Sequence, residues 1–232
     1  MPRVRADMER QRLVRDLALA LGIAAALAFV VRRRLRPEFD LASGVASEID
    51  AAPLVVIRGA FDDVTVSATD GPRVELSAYG PGALDEIVGI RRAADGSRLT
   101  LDVAPRRRLD VYVPRGTALR LRVAKSSTAV FGIDNVDVVC AKSTVGLHDV
   151  GGRIRVRAAK TAIDVDLARD RETRSVDASI AKSRFDLALP PKRGGRYDVD
   201  AAKSRLRLPA SVEDGIPIAV RAARAAIDIH AA

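Results

Sequence analysis

The sequence predicts an all-β chain assembled as a β-solenoid of short stacked repeats, preceded by an apolar N-terminal helix. Three observations carry that prediction. The first is a corner that recurs six times, at Ala124-Lys125-Ser126, Ala141-Lys142-Ser143, Ala159-Lys160-Thr161, Ala181-Lys182-Ser183, Ala202-Lys203-Ser204 and Ala223-Arg224-Ala225. Its basic residues lie 17, 18, 22, 21 and 21 apart, and a self-similar period near 20 is the mark of units that bury their apolar faces only by stacking. The second is period-two alternation of apolar residues on both sides of each corner, the strand signature. The third is composition: 48% hydrophobic but only 3% aromatic residues, which suits a thin aliphatic interior.

Taken in order, residues 1–16 form a basic N-terminal segment. Residues 17–31 (LALALGIAAALAFVV) are apolar and uncharged. A full membrane span takes about 20 residues, so this segment is short, and the flanking arginines would lengthen it by snorkelling. The reading is a transmembrane or signal-anchor helix. A cleaved signal peptide competes, with Ala26-Leu27-Ala28 as a cleavage-like site, but Arg32-Arg33-Arg34 disfavours export. A buried globular helix would show an amphipathic pattern that is absent here. Five arginines precede the segment and four follow it closely, so the positive-inside rule leaves its orientation balanced. Residues 32–52 read as a juxtamembrane linker.

Residues 53–113 read as β-rich entry and capping layers. Strands are expected at Leu54–Arg58, Val64–Ala68, Val74–Ala78, Leu99–Ala104 and Leu109–Val113, with turns at Asp70-Gly71, Gly80-Pro81 and Asp95-Gly96. Ala83–Arg92 reads as either a short helix or a further strand.

Residues 114–232 are the solenoid repeats. Apolar alternation leads into each corner (Leu119, Leu121, Val123 in the first) and resumes beyond it one residue out of phase (Ser126, Thr128, Val130). A one-residue slip turns a strand's side chains to its other face, so each unit reads as strand, corner, strand. Stacked about 4.8 Å apart, the units would align like residues in columns. The Ser/Thr column has inward phase, where its hydroxyls would bond backbone or one another. The basic column has outward phase, at a repulsion of about 0.9 kcal/mol between neighbouring charges in water, partly offset by Asp164, Asp186 and Asp228. Five residues before the corner, Arg120, Asp137, Arg155, Asp177, Asp198 and Ala219 begin with alternating charge, which favours stacking in sequence order. The last unit ends at Ala232 without a polar cap, and such an end invites end-to-end pairing.

Chemistry-bearing residues are few. Cys140, the single cysteine, has inward phase and reads as a small buried apolar residue. His148 and His230 lie in different units with outward phase. Gly151-Gly152 and Gly194-Gly195 read as turns between coils, and Asp198 with Asp200 as ordinary strand residues. No catalytic constellation, metal ligand set or cofactor-binding motif emerges. The candidate binding feature is the basic column, Lys125, Lys142, Lys160, Lys182, Lys203 and Arg224. It reads either as a solvated corner that blocks lateral sheet pairing or as a track for an anionic polymer. With net charge +9 but few aromatics to stack on bases, nucleic acid is the least favoured polymer.

The stretch Leu109–Val123 (LDVYVPRGTALRLRV), followed by reiterated short strands, resembles the bacterial putative-adhesin β-strand-repeat family, related to head-GIN domains. Asp62-Asp63-Val64-Thr65-Val66 and Ser97–Leu101 fit the same pattern, and the resemblance covers roughly residues 53–229. It implies a single-stranded, right-handed β-solenoid behind a membrane segment, with an extracytoplasmic body. The chain departs from the pattern at its corners, where Ala-Lys-Ser replaces Ser-Gly-Asp-like turns. Either the bend is gentler, or the lysine was placed for its charge. The expected function is non-enzymatic: a membrane-tethered, repetitive surface for adhesion or cell-envelope interaction, meeting anionic glycan or lipid headgroups. The alternative is a bactofilin-like polymerising scaffold that self-associates through its C-terminal rung.

Overall fold

The period-two runs become strands in the computed structural model, which describes residues 44–191 and 193–232. The basic segment and the apolar helix expected at 17–31 lie outside the described residues. Among the described residues no helix is long and apolar enough to cross a membrane. The upstream part comprises β1 (Gly44–Asp50), β2 (Leu54–Ala60), β3 (Asp63–Thr69), β4 (Arg73–Tyr79), helix α1 (Leu84–Ile87), β5 (Val88–Arg92), β6 (Arg98–Val103) and β7 (Arg108–Pro114). The repeats comprise β8 (Ala118–Ala124), β9 (Ser127–Phe131), β10 (Asp134–Ala141), β11 (Thr144–Ala159), β12 (Ala162–Leu167), β13 (Thr173–Ala181), β14 (Arg184–Leu189), β15 (Gly195–Ala202), β16 (Arg205–Arg207), β17 (Ile216–Ala223) and β18 (Ala226–Ala231). The described residues are therefore all-β with almost no helix.

Two details differ from the sequence reading. The linker expected at 32–52 contains β1, which pairs antiparallel with β4 through Ile49 and Val74. Ala83–Arg92 is both of its alternatives in turn, one helical turn and then β5.

Strands before each corner form sheet one, in the order β5-β6-β2-β8-β10-β11-β13-β17-β15. Strands after each corner form sheet two, in the order β1-β4-β7-β3-β9-β11-β12-β14-β18-β16. The 16-residue β11 runs through both sheets. All pairings are parallel except β1–β4, β4–β7 and β5–β6. One aliphatic core unites inward residues of both sheets, such as Ile57, Leu121 and Val156 with Val66, Leu147 and Val165. Each Val, Ile or Leu so buried contributes about 1.5–3 kcal/mol.

The units do not stack in sequence order, contrary to expectation. β17 pairs with β13 on one side and β15 on the other, and β18 lies likewise between β14 and β16. The outward column therefore runs Arg120, Asp137, Arg155, Asp177, Ala219, Asp198. Sequence order would have set Asp177 directly against Asp198, and like charges directly opposite are destabilising. Apolarity acts in the same direction. Ile216, Ile218, Val220, Ile227 and Ile229 of the last unit are buried, whereas Leu206 of the unit outside it is 43% exposed.

The uncapped apolar end expected at the last unit is corrected by the same arrangement. The outermost rung is β15–β16, whose outward residues include Arg196, Asp198, Asp200, Arg205 and Arg207. Its second strand has only three residues. Charge and shortness are two ways in which natural sheets blunt an edge. At the opposite end the antiparallel β1, β4 and β5 form the outer layers.

Candidate anion-binding ridge

Each corner turns through one residue in the left-handed region. Lys125, Lys142, Lys160, Lys182, Lys203 and Arg224 have φ between 51° and 56°. The bend is thus tight, and lysine occupies the conformation that glycine adopts most cheaply. For an L-residue this conformation costs roughly 1–2 kcal/mol.

The corner backbone is tied from rung to rung. The N–H of Lys125 donates to the Ala141 carbonyl, Lys142 to Ala159, Lys160 to Ala181, Lys182 to Ala223 and Arg224 to Ala202, each at 2.9 Å. Beside this ladder runs the hydroxyl column. Ser143 Oγ donates to its own unit's Ala141 carbonyl at 3.0 Å and accepts the Ser126 N–H at 3.2 Å. Ser183 Oγ does the same between the Ala181 carbonyl and the Thr161 N–H. The column is broken at Ala225, which has no hydroxyl to offer the neighbouring Ser183.

All six predicted basic residues are exposed and stand in one line. Among the described residues none of the five lysines makes a salt bridge. Asp186 and Asp228 do not offset the lysine charges as expected: Asp186 pairs with Arg184 and His230, and Asp228 with Arg207. Asp164 makes no salt bridge among the described residues.

The line continues upstream through residues the sequence reading missed. Phe61 and Arg106 have φ of 60° and 59° and occupy equivalent corners. The Phe61 N–H donates to the Ala124 carbonyl and the Arg106 N–H to the Phe61 carbonyl. The ridge therefore runs Arg106, Phe61, Lys125, Lys142, Lys160, Lys182, Arg224, Lys203. Lys125 Nζ lies 4.4 Å from the centroid of the Phe61 ring, a cation–π contact. A groove of about 840 Å³ follows the upstream half, lined by Arg106, Arg107, Lys125, Lys142 and Lys160 with Ser127 and Thr144. The signal for this extension was the apolar run ending at Ala60 before Phe61-Asp62, which matches the Ala-Lys-Ser frame in position but not in residue type.

Asp62 takes the place of the serine at its corner. It is buried, neither carboxylate oxygen has a hydrogen-bond partner, and burial pushes its carboxyl up to about 6. Cys140 is buried as its phase implied, and burial pushes its thiol up to about 12. The histidines face outward: His148 Nδ1 lies 2.7 Å from Asp166 and His230 Nδ1 3.3 Å from Asp186. No group of three or more His, Cys, Asp or Glu residues with metal-binding geometry occurs among the described residues.

No family model and no curated relative matches the sequence. Two solved structures show a distant likeness. One is a putative cell adhesion protein from Clostridium sporogenes, at 9% identity and TM-score 0.38 over 82% of this chain and 99% of that one. The other is a putative lipid binding protein from Parabacteroides distasonis, at 7% identity and TM-score 0.25 over 82% of this chain and 97% of that one. Likeness at these values carries no argument about what this chain binds.

Proposed function

We propose that this chain is a non-enzymatic, membrane-tethered β-solenoid that presents its ridge for adhesion or cell-envelope interaction with an anionic polymer or headgroup. The parallel register of strand–corner–strand units supports the solenoid, and parallel crossovers within one sheet are right-handed in nearly all proteins. The apolar segment 17–31 supports the tether. The observation that carries the binding reading is the left-handed lysine. Glycine at each corner would remove the strain, yet five lysines and an arginine occupy these positions and present to solvent a line of charge that makes no salt bridge among the described residues.

The test is binding of the full-length protein in detergent to polygalacturonate and to phosphatidylglycerol vesicles. Binding to one of these should fall steeply with salt. The quadruple variant Lys142→Gly, Lys160→Gly, Lys182→Gly, Lys203→Gly should bind at least about tenfold more weakly while keeping its circular dichroism. Salt-independent binding, or equal binding by the variant, would refute the ridge reading. A topology reporter fused after Ala232 tests the proposed extracytoplasmic body.

A second reading, a polymerising scaffold, would have to pair through the outward edges of β15 and β16, which carry no strand partner among the described residues but are charged and, in β16, short. Light scattering that grows with protein concentration and stops after deletion of β15–β16 would favour it.

A further inference from the structure

The ridge is not the only concentration of positive charge. The outer face of sheet one carries a separate arginine array. The register sets Arg58 directly beside Arg122, and Arg120, Asp137 and Arg155 in one row across three strands. Like charges directly opposite each other destabilise a sheet, so the Arg58–Arg122 pairing calls for a reason. Counterions on this face are few. Asp137 pairs with Arg120 at 3.1 Å, and Asp102 lies 4.0 Å from Arg58 while also bonding Arg91. Arg122, Arg153, Arg155, Arg157 and Arg174 make no salt bridge among the described residues, although the register places Asp177 beside Arg155.

Three further observations describe the same deficit. The Nε atoms of Arg58 and Arg122 are buried without a hydrogen-bond partner. Burial first, and then the Arg120 and Arg58 charges, pulls the Arg122 guanidinium below its ordinary value. Arg58, Arg122 and Arg157 face the same side nearer the corners, and beyond them a cleft of about 340 Å³ opens at the N-terminal ends of these strands, lined by Arg120, Arg153, Arg155 and Arg174 together with Asn135 and Asp137. The cleft's cations are all arginine, whereas the ridge is mostly lysine. Lysine serves as a point charge, while the planar guanidinium fork holds an oxyanion by two parallel hydrogen bonds.

We propose that this cleft is a second binding site, distinct from the lysine ridge, for a ligand bearing two or more phosphate groups. The spacing of the array sets that valence. Arg120 and Arg155 stand two strands apart, about 10 Å, and Arg153 and Arg155 two residues apart, about 7 Å. One phosphate cannot reach all of these groups, and a multiply phosphorylated headgroup or polyol can. Its bidentate contacts supply the charge that Asp137 leaves unmatched in the cleft.

The test is calorimetry on the full-length protein in detergent at fixed ionic strength. The probes are orthophosphate, pyrophosphate and inositol hexakisphosphate, with phosphatidylglycerol vesicles as a separate arm for a monovalent lipid surface. Affinity should rise at least about tenfold from orthophosphate to inositol hexakisphosphate, since charge-assisted contacts add. The charge-conserving variant Arg153→Lys, Arg155→Lys should lose at least about fivefold, because it keeps the charge and removes the fork. The quadruple Lys→Gly ridge variant should bind inositol hexakisphosphate within about twofold of wild type, since the ridge lies off this face. Equal affinity for all three phosphates, an unaffected Arg→Lys variant, or preference for the vesicles would each overturn the proposal. Loss of binding in the ridge variant would place the phosphates on the ridge, overturning this site while leaving the ridge reading intact. Arg153 and Arg174 are exposed and Arg120 and Arg155 half-buried, and melting curves serve to check that the variants fold.

Discussion

The carboxylate of Asp62 fills the space that a side chain at Gly59 would occupy: a β-carbon on Gly59 would collide with Asp62 Oδ2. The inner column that holds Val123, Cys140 and Ala158 in later rungs holds glycine in β2. The larger acid at the corner and the missing side chain three residues earlier form one unit of packing. Gly59→Ala should therefore destabilise by about 1–3 kcal/mol as an overpacking change. In an Asp62→Ser background the same substitution should be close to neutral. Urea denaturation of the two single variants and the double variant measures the coupling, expected at about 1–3 kcal/mol.

Asp62 also sets a pH dependence. Its carboxyl is raised from an ordinary value of 3.8 to about 6 by burial, with Asp63 adding a smaller like-charge contribution and Ser126 opposing. The other charged groups along this groove are Arg106, Arg107, Lys125, Lys142 and Lys160. The folded chain binds the proton more tightly than the unfolded chain, so this contribution is complete below pH 3.8. It is lost as pH rises through about 6, and amounts to about 3 kcal/mol at most. Asp62→Ser should remove that slope. The wild-type minus variant difference in unfolding free energy, followed from pH 4 to pH 7, should become more negative with pH and level off above 6.

The hydroxyl column predicts a stabilising substitution. Ala225 interrupts a chain in which each corner N–H donates to the hydroxyl of the next rung, and Ser183 is the residue left without that acceptor. Ala225→Ser should stabilise by about 0.5–1 kcal/mol, one net hydrogen bond. Conversely Ser143→Ala removes an acceptor from a buried N–H and should cost about 1–3 kcal/mol. Both are read from urea midpoints at unchanged m-value.

Ala219 separates two acids, Asp177 and Asp198, in the outward row of sheet one. Ala219→Arg should stabilise by roughly 0.2–1 kcal/mol per pair at low salt, and Ala219→Asp should destabilise by a similar amount. Both effects should shrink in 1 M sodium chloride, where the Debye length is about 3 Å. Thermal melts at the two salt concentrations provide the check.

Much of this was legible because a repeat states the same rule several times. The phase change at Ala-Lys located the corner, and the inward phase of Ser126, Ser143, Thr161 and Ser183 located a hydroxyl column that the hydrogen bonds contain. The tightness of the corner was not legible, since a left-handed lysine looks in sequence like any other lysine. The rung order was not legible either. Adjacent repeats usually stack as neighbours, and only two comparisons, Asp177–Asp198 with Asp177–Ala219 and the more apolar sixth unit with the fifth, favour the exchange. Phe61 and Arg106 escaped notice because their side chains break the column while their backbone conforms to it. The arginine array depends on which strands become neighbours, and Arg58 and Arg122 are separated by five strands in the chain.

The exchanged rungs make assembly of the stacked strands depend on order. Among the described residues β15 and β16 are paired only to β17 and β18, so the fifth corner unit has no template until the sixth has docked on β13 and β14. At the other end β2 and β3 sit between later-made strands, β6 and β7 on one side and β8 and β9 on the other. Neither end can zip up in the order of synthesis. Each must hold an early segment open for a later one, which raises the sequence separation of native contacts and slows folding. Once closed, the last-made unit lies beneath the outermost layer, so β17 and β18 cannot leave the stack before β15 and β16 have let go.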